Sequence, residues 1–222
     1  MNALKFYSKK SIVNELAISY AETPNFYHTA STFIKDIKNV LPIDYCFTDK
    51  TLIDLGAGTG KSISVLSSLG FKKVIAVDGS DEMIKHILKM VAPYYPHIQM
   101  QVLQANLETD RISVDDSSVD IAICCNVFTY LSSIENIFSE ASRILKPSGL
   151  FSFEIDLTEE NKSNLSWIDG NKVDCHVFGK QYFESLIGKY CFKKVSETYK
   201  QFNNQPGFPI YNPNVLLCRS TV

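Results

Sequence analysis

The segment Asp54-Leu55-Gly56-Ala57-Gly58-Thr59-Gly60 constrains this chain more than any other. It closes a short apolar run at 51–55 and opens an amphipathic run at 61–69 that Gly70 ends. A strand that ends in Gly-x-Gly-x-Gly and passes straight into a helix brings backbone N–H groups close to a ligand, because a Cβ there would block the approach or forbid the angles. The spacing narrows the choice of ligand. A nicotinamide fingerprint, GxGxxG counted from Gly56, needs its third glycine at 61, and that residue is Lys61. A P-loop is excluded because no GK[ST] follows at the required distance. The Asp54 carboxylate would repel a pyrophosphate and suits an ammonium or a sulfonium. Asp78 ends the next apolar run, where it either accepts both hydrogen bonds of a ribose diol or simply opens the Asp78-Gly79 turn.

Short β-rich runs alternate with helical patterns from residue 51 to about 155. Strands are predicted at 51–55, 73–77, 99–104, 119–125 and 150–155. Helices are predicted at 61–69, from Ser80 as N-cap to Val91, and from Ser133 to Leu145. The apolar face of the second carries Met83, Ile84, Ile87, Leu88 and Val91. The near-continuous apolar run at 119–125 suits a strand covered on both faces. This alternation implies βαβ units and a mainly parallel sheet. The tail differs: a helix at 181–189, then strands at 191–199 and 215–219 with no helix between, which read as an antiparallel hairpin at the sheet edge. Phe33, Ile34, Ile37, Val40 and Leu41 give a helix before Pro42.

The chain has 222 residues, 45% hydrophobic and 21% charged, with a formal net charge of -2. That composition supports one large globular domain and gives no broad attraction to nucleic acid or anionic lipid. Six cysteines without a CxxC pair or a histidine cluster argue against a metal site and for reduced thiols in the cytoplasm. The first ten residues hold no apolar stretch of signal-peptide type, and no run approaches the length of a membrane span.

Taken with their order, these motifs closely resemble the class I S-adenosylmethionine-dependent methyltransferases. The resemblance is good over about 50–155 and looser in the tail. It implies an α/β fold: a doubly wound, seven-stranded, mostly parallel sheet with an antiparallel last strand. Residues 1–50 would form a helical lid or extension, and 51–222 the Rossmann-like domain, with a short substrate insertion at 156–179. The first motif spans Leu52 to Gly60 and the second Val74 to Ser80, where the family's acidic residue, here Asp78, binds ribose. Asn106 stands where the family usually has an aspartate facing the adenine amino group, and Leu107 would cover the adenine face. The carbonyl of Cys125 or Asn126 would meet the methionine ammonium. Arg143-Ile144-Leu145-Lys146-Pro147-Ser148-Gly149 is similar to the family's RxLKPGG turn, with Ser148 for one glycine. The implied cofactor, S-adenosylmethionine, would thus be held by Asp54, Gly56, Ala57, Gly58, Gly60, Asp78, Gly79, Met83, Asn106, Leu107, Cys125 and Asn126.

The acceptor is less legible. Methyl transfer is an in-line displacement on an activated carbon, so alignment matters most, and a base is needed only for an acceptor that must lose a proton early. Candidate groups on the acceptor side are Tyr20, Tyr130, His176 and Asp156. Tyr20 lies in Ser19-Tyr20-Ala21, which resembles the family's N-terminal "YD" with the aspartate replaced. Asp156 either contacts substrate or only begins its loop. Phe26, Tyr27, His28, Trp167, Phe208 and Tyr211 add to the impression of an enclosed, fairly apolar pocket. The expected activity is methylation of an O- or N-nucleophile on a small molecule, such as a carboxylate or hydroxyl of a metabolite or a carrier-bound intermediate. The expected assembly is a monomer or homodimer. The rivals are a protein or RNA methyltransferase and a non-catalytic cofactor-binding subunit.

Overall fold

A computed structural model describes residues 2–12, 24–159, 165–168, 173–200 and 212–221. Among the described residues, no helix is long and apolar enough to cross a membrane.

Among the described residues, two helices precede the sheet: α1 (Ala3–Tyr7) and α2 (Pro24–Val40). The alternating body then runs β1 (Thr51–Leu55), α3 (Lys61–Leu66), β2 (Lys73–Asp78), α4 (Asp81–His86), β3 (Gln99–Gln104), β4 (Val119–Cys124), α5 (Glu135–Ile144) and β5 (Leu145–Glu154). Three short strands follow: β6 (Leu157–Thr158), β7 (Leu165–Ile168) and β8 (Asp174–Gly179). The chain closes with α6 (Lys180–Lys189), β9 (Phe192–Lys200) and β10 (Asn212–Arg219). Seven strands form one sheet in the order β3-β2-β1-β4-β5-β10-β9, and β10 alone runs antiparallel to its neighbours. This is the doubly wound sheet with an antiparallel last strand that the motifs implied.

Both sheet faces are buried, which is why the central strands read as unbroken apolar runs. One face carries Ile53, Leu55, Ile75, Val77, Ala122 and Phe153 against α5 and α6. Phe128, Phe138, Phe151, Phe153, Phe183 and Phe192 form its aromatic centre; the Phe151 and Phe153 centroids are 4.6 Å apart. The other face carries Leu52, Val74, Ala76, Ile121 and Ile123 against Phe33 and Ile37 of α2 and Ile63 and Leu66 of α3.

The tail hairpin does stand at the sheet edge as expected, with β10 against β5 and β9 outermost. Several details differ from the sequence reading. Leu88 is exposed, because the helix after α4 widens into a π turn at Ile87–Val91 that rotates it away from the core. The expected turn at 146–149 is an interruption inside β5. Val119 pairs with Leu145 and Ile121 already with Leu150, so Lys146 to Gly149 bulge out of the ladder. Ser148, in the place of the family's glycine, takes φ 65° there. The insertion at 156–179 contains its own small sheet in the order β6-β8-β7, a pairing too short for periodicity to announce.

Candidate cofactor cleft

The glycine turn is held by its neighbours before any ligand is considered. Gly56, Gly58 and Gly60 have φ of 85°, 54° and 80°, a region that side chains disfavour. A Cβ on Gly56 would also collide with Val127, and one on Gly60 would lie 2.9 Å from Val91 Cγ2. A Cβ on Gly58 would meet nothing and would project into open space. The Gly56 and Ala57 N–H groups donate to Val77 O at 2.8 and 2.9 Å. Asp78 completes the fastening. Its Oδ2 accepts the Gly58 N–H at 2.8 Å, and its Oδ1 accepts the Ser80 N–H at 2.8 Å. Burial raises its pKa, and these backbone donors oppose that. Each carboxylate oxygen keeps a second lone pair for a ligand hydroxyl.

Asp54 lies beneath the turn with 0% of its surface exposed. Ser62 donates its hydroxyl to Oδ2, whereas Oδ1 is buried with no hydrogen-bond partner. Burial pushes the pKa up to about 7; the Ser62 bond pulls it down and the Asp78 charge adds to the rise. An orphaned buried carboxylate oxygen is costly and calls for a cationic or donor group.

The cleft above has a cavity volume of about 160 Å³ and opens to solvent. Of the residues expected to hold a cofactor, Gly56, Ala57, Gly58, Asp78 and Gly79 line it, and so do Met83, Asn106, Leu107, Cys125 and Asn126. Asp54 and Gly60 lie behind the lining and shape the turn. Asn126 has φ 55°, a left-handed turn at the end of β4 that asparagine tolerates. Asn106 is partly engaged: its Oδ1 accepts the Glu108 N–H at 3.0 Å. Glu108 was not singled out in the sequence. Its Oε1 accepts the Ser132 and Ser133 N–H groups at 2.7 and 3.2 Å, tying the loop after β3 to the loop after β4.

Sequence reasoning named none of the residues that roof the cleft, although it expected residues 1–50 to form a lid or extension. Asn2, Leu4 and Tyr7 line the cleft from the N-terminus. Leu4 lies over Gly79, where a Cβ would come within 2.7 Å of Leu4 Cδ1. Ser80 Oγ donates to Tyr7 O at 2.9 Å. The Tyr7 ring meets Tyr130 edge-on at 5.2 Å, and Phe6 packs with Val173 from the insertion. A five-residue helix carries no periodic signal long enough to read.

The acceptor-side candidates scatter. Tyr130 lines the cleft. Asp156 is held by Asn212 Nδ2 at 2.7 Å and by the Thr129 side chain, and burial raises its pKa against both bonds. His176 stands on β8; burial lowers its pKa, and Glu108 and Asp174 push the other way. Tyr20, Phe208 and Tyr211 lie outside the described residues, as do the side chains of Phe26, Tyr27, His28 and Trp167. Among the described residues, no cluster of three or more His, Cys, Asp or Glu is placed to hold a metal ion.

Residues 53–153 match the protein family described as "Methyltransferase domain". A thiol S-methyltransferase of Rattus norvegicus is 29% identical over 135 residues, 60% of this chain and 52% of its own. The first relatives span further than this chain, which covers 39%, 35% and 52% of their lengths. Among solved structures, a S-adenosylmethionine-dependent methyltransferase from Clostridium acetobutylicum superposes with a TM-score of 0.68 at 15% identity, covering 93% of this chain and 98% of that one. Geranyl diphosphate C-methyltransferase from Streptomyces coelicolor, solved with S-adenosyl-L-homocysteine, gives a TM-score of 0.67 at 12% identity, covering 87% and 80%. At these identities the superpositions speak for the fold.

Proposed function

We propose that this chain is a class I S-adenosylmethionine-dependent methyltransferase that transfers a methyl group to a small-molecule acceptor, a reading supported by the match of residues 53–153 to a methyltransferase domain. The observation that carries the reading is the pairing of a glycine turn open to ligand at Gly58 with an orphaned buried carboxylate at Asp54. Both features fit the cofactor. The space in front of Gly58 lets a nucleoside approach the backbone, and Asp54 Oδ1 awaits a cation. Asp78 would take the ribose hydroxyls on its spare lone pairs, Leu107 and Met83 would flank the adenine, and the carbonyl of Cys125 or Asn126 would accept from the ammonium.

The bound cofactor supplies a methyl group already activated as a sulfonium. The protein's own work is to align the acceptor and keep water out, a positioning effect of about 7–11 kcal/mol at best. Leu107, Val127, Tyr130 and Leu131 give the cleft an apolar wall, and α1 roofs it. Tyr130, which lines the cleft, is the candidate for orienting an acceptor.

A thiol acceptor is a second reading, favoured by the thiol S-methyltransferase relative. The near-neutral charge disfavours RNA as acceptor. Cysteines outside disulfides agree with a reducing compartment such as the cytoplasm.

Calorimetry with S-adenosylmethionine, S-adenosylhomocysteine and NAD tests the proposal. Both sulfur nucleosides are expected to bind and NAD is not; NAD binding alone would sink it.

A further inference from the structure

One carboxylate on the cleft has no part in holding the cofactor as read above. Glu108 lines the cleft together with Tyr7, Tyr130 and Leu131. Its Oε1 is fully engaged: it accepts the Ser132 N–H at 2.7 Å, the Ser132 hydroxyl at 2.5 Å and the Ser133 N–H at 3.2 Å. Its Oε2 makes no hydrogen bond to any described residue. Three donors from the loop after β4 pin the group, so it need not reorganise to meet a ligand. Ser132 follows Tyr130 by two residues, and the clasp thus holds the carboxylate in the same loop as that ring. Tyr130 in turn meets Tyr7 of α1 edge-on at 5.2 Å. The charge of Glu108 also reaches His176 of β8, in the insertion.

The lining carries charge of one sign. Asp78 and Glu108 are its charged side chains, and among the described residues no lysine, arginine or histidine lines the cleft. Asp78 goes to the ribose on the reading above, which leaves Glu108 as the charge that an acceptor meets. Fastening the two loops needs only an oxygen acceptor, which a glutamine would also supply, so the charge is surplus to the clasp. A carboxylate or phosphate on the acceptor would find no cationic side chain on the lining and would lie near a fixed negative one. An ammonium or amidinium would meet a spare carboxylate oxygen and two tyrosine rings, and both kinds of group attract such cations.

We propose that Glu108, with Tyr7 and Tyr130 beside it, receives a positively charged group of the acceptor, an alkylammonium or amidinium, so that the acceptor is a cationic small molecule. The inference rests on the methyltransferase reading and narrows its class of acceptors.

The test follows melting of the full chain, saturated with S-adenosylhomocysteine, in the presence of benzylammonium, benzyl alcohol or benzoate, which share a ring and differ in charge. At equal high millimolar concentration, benzylammonium is expected to raise the melting temperature by about 2 °C more than benzyl alcohol, and benzoate is expected not to raise it. Added sodium chloride should shrink the benzylammonium advantage in the wild type, a measurement that needs no variant. Glu108→Gln keeps an oxygen for the clasp and removes the charge. It should bind S-adenosylhomocysteine as the wild type does and respond to benzylammonium and benzyl alcohol alike. Tyr130→Phe, which keeps the ring, should retain the benzylammonium advantage, and Tyr130→Leu should lower it. A benzoate response as large as that to benzylammonium, no response to any probe, or an advantage that survives either salt or Glu108→Gln would each overturn the proposal. So would a loss of S-adenosylhomocysteine affinity in Glu108→Gln, which would assign the charge to the cofactor. Binding of S-adenosylhomocysteine to the wild type is read separately by calorimetry. Its absence fails the methyltransferase reading, whereas binding without preference among the probes fails only this one.

Discussion

The two ends of the cleft are built on opposite plans. At the glycine end, one stretch of chain does nearly everything: β1, the turn, and Asp78 one strand later, with backbone donors and carboxylate acceptors fastened to each other. At the other end, groups come from α1 and from the loops after β3 and β4, segments far apart in the chain. A prefastened region binds a constant ligand with little reorganisation, whereas an assembled region takes its shape from whatever segments the chain brings.

The largest test of that contrast is electrostatic. Asp54 has a folded-state pKa of about 7 against a reference of 3.8. The folded state therefore holds its proton more tightly, and stability attributable to this group falls as pH rises from 4 to 7, then levels. The span is on the order of 4 kcal/mol. Denaturant melts of wild type and Asp54→Asn should diverge by that amount over this window, and saturating S-adenosylhomocysteine should flatten the divergence. Parallel curves would mean Asp54 is already ionised and satisfied.

Next comes Gly56→Ala, which puts a Cβ into Val127 at a positive φ. Cofactor affinity measured by calorimetry should drop about a hundredfold, some 2.7 kcal/mol. Asp78→Ala should lower it by about tenfold or more, since it removes both the ribose acceptor and the fastening of Gly58. Tyr7→Ala, on the assembled side, should weaken it by no more than about tenfold and speed dissociation in stopped-flow displacement. An effect larger than that of Asp78→Ala would erase the distinction between the two ends. The smallest effect lies outside the cleft: Ser148→Gly relieves a left-handed residue in the β5 bulge and should stabilise the chain by about 1 kcal/mol.

The same contrast explains what could be read from sequence. The glycine turn, Asp78 and the alternating body are local patterns, and physics that acts within a few residues leaves them in the sequence. The roof of Leu4 and Tyr7 and the clasp of Glu108 on Ser132 and Ser133 join residues far apart in the chain. Their partners are chosen by topology. Leu88 and the β5 bulge were misread because a π turn and a bulge change the period on which the reading relied.

The roof has a consequence for timing. Helix α1 is fixed over the cleft by one hydroxyl–carbonyl bond, a tyrosine edge contact and a small satellite of apolar packing. Release of a nucleoside from under this roof would have to break these contacts together, so the roof would set how soon a spent nucleoside is exchanged for a fresh one. Because Phe6 and Tyr7 also touch Val173 and Tyr130, each such opening uncovers the acceptor side in the same event. Exchange at the two ends of the cleft thus shares a single clock.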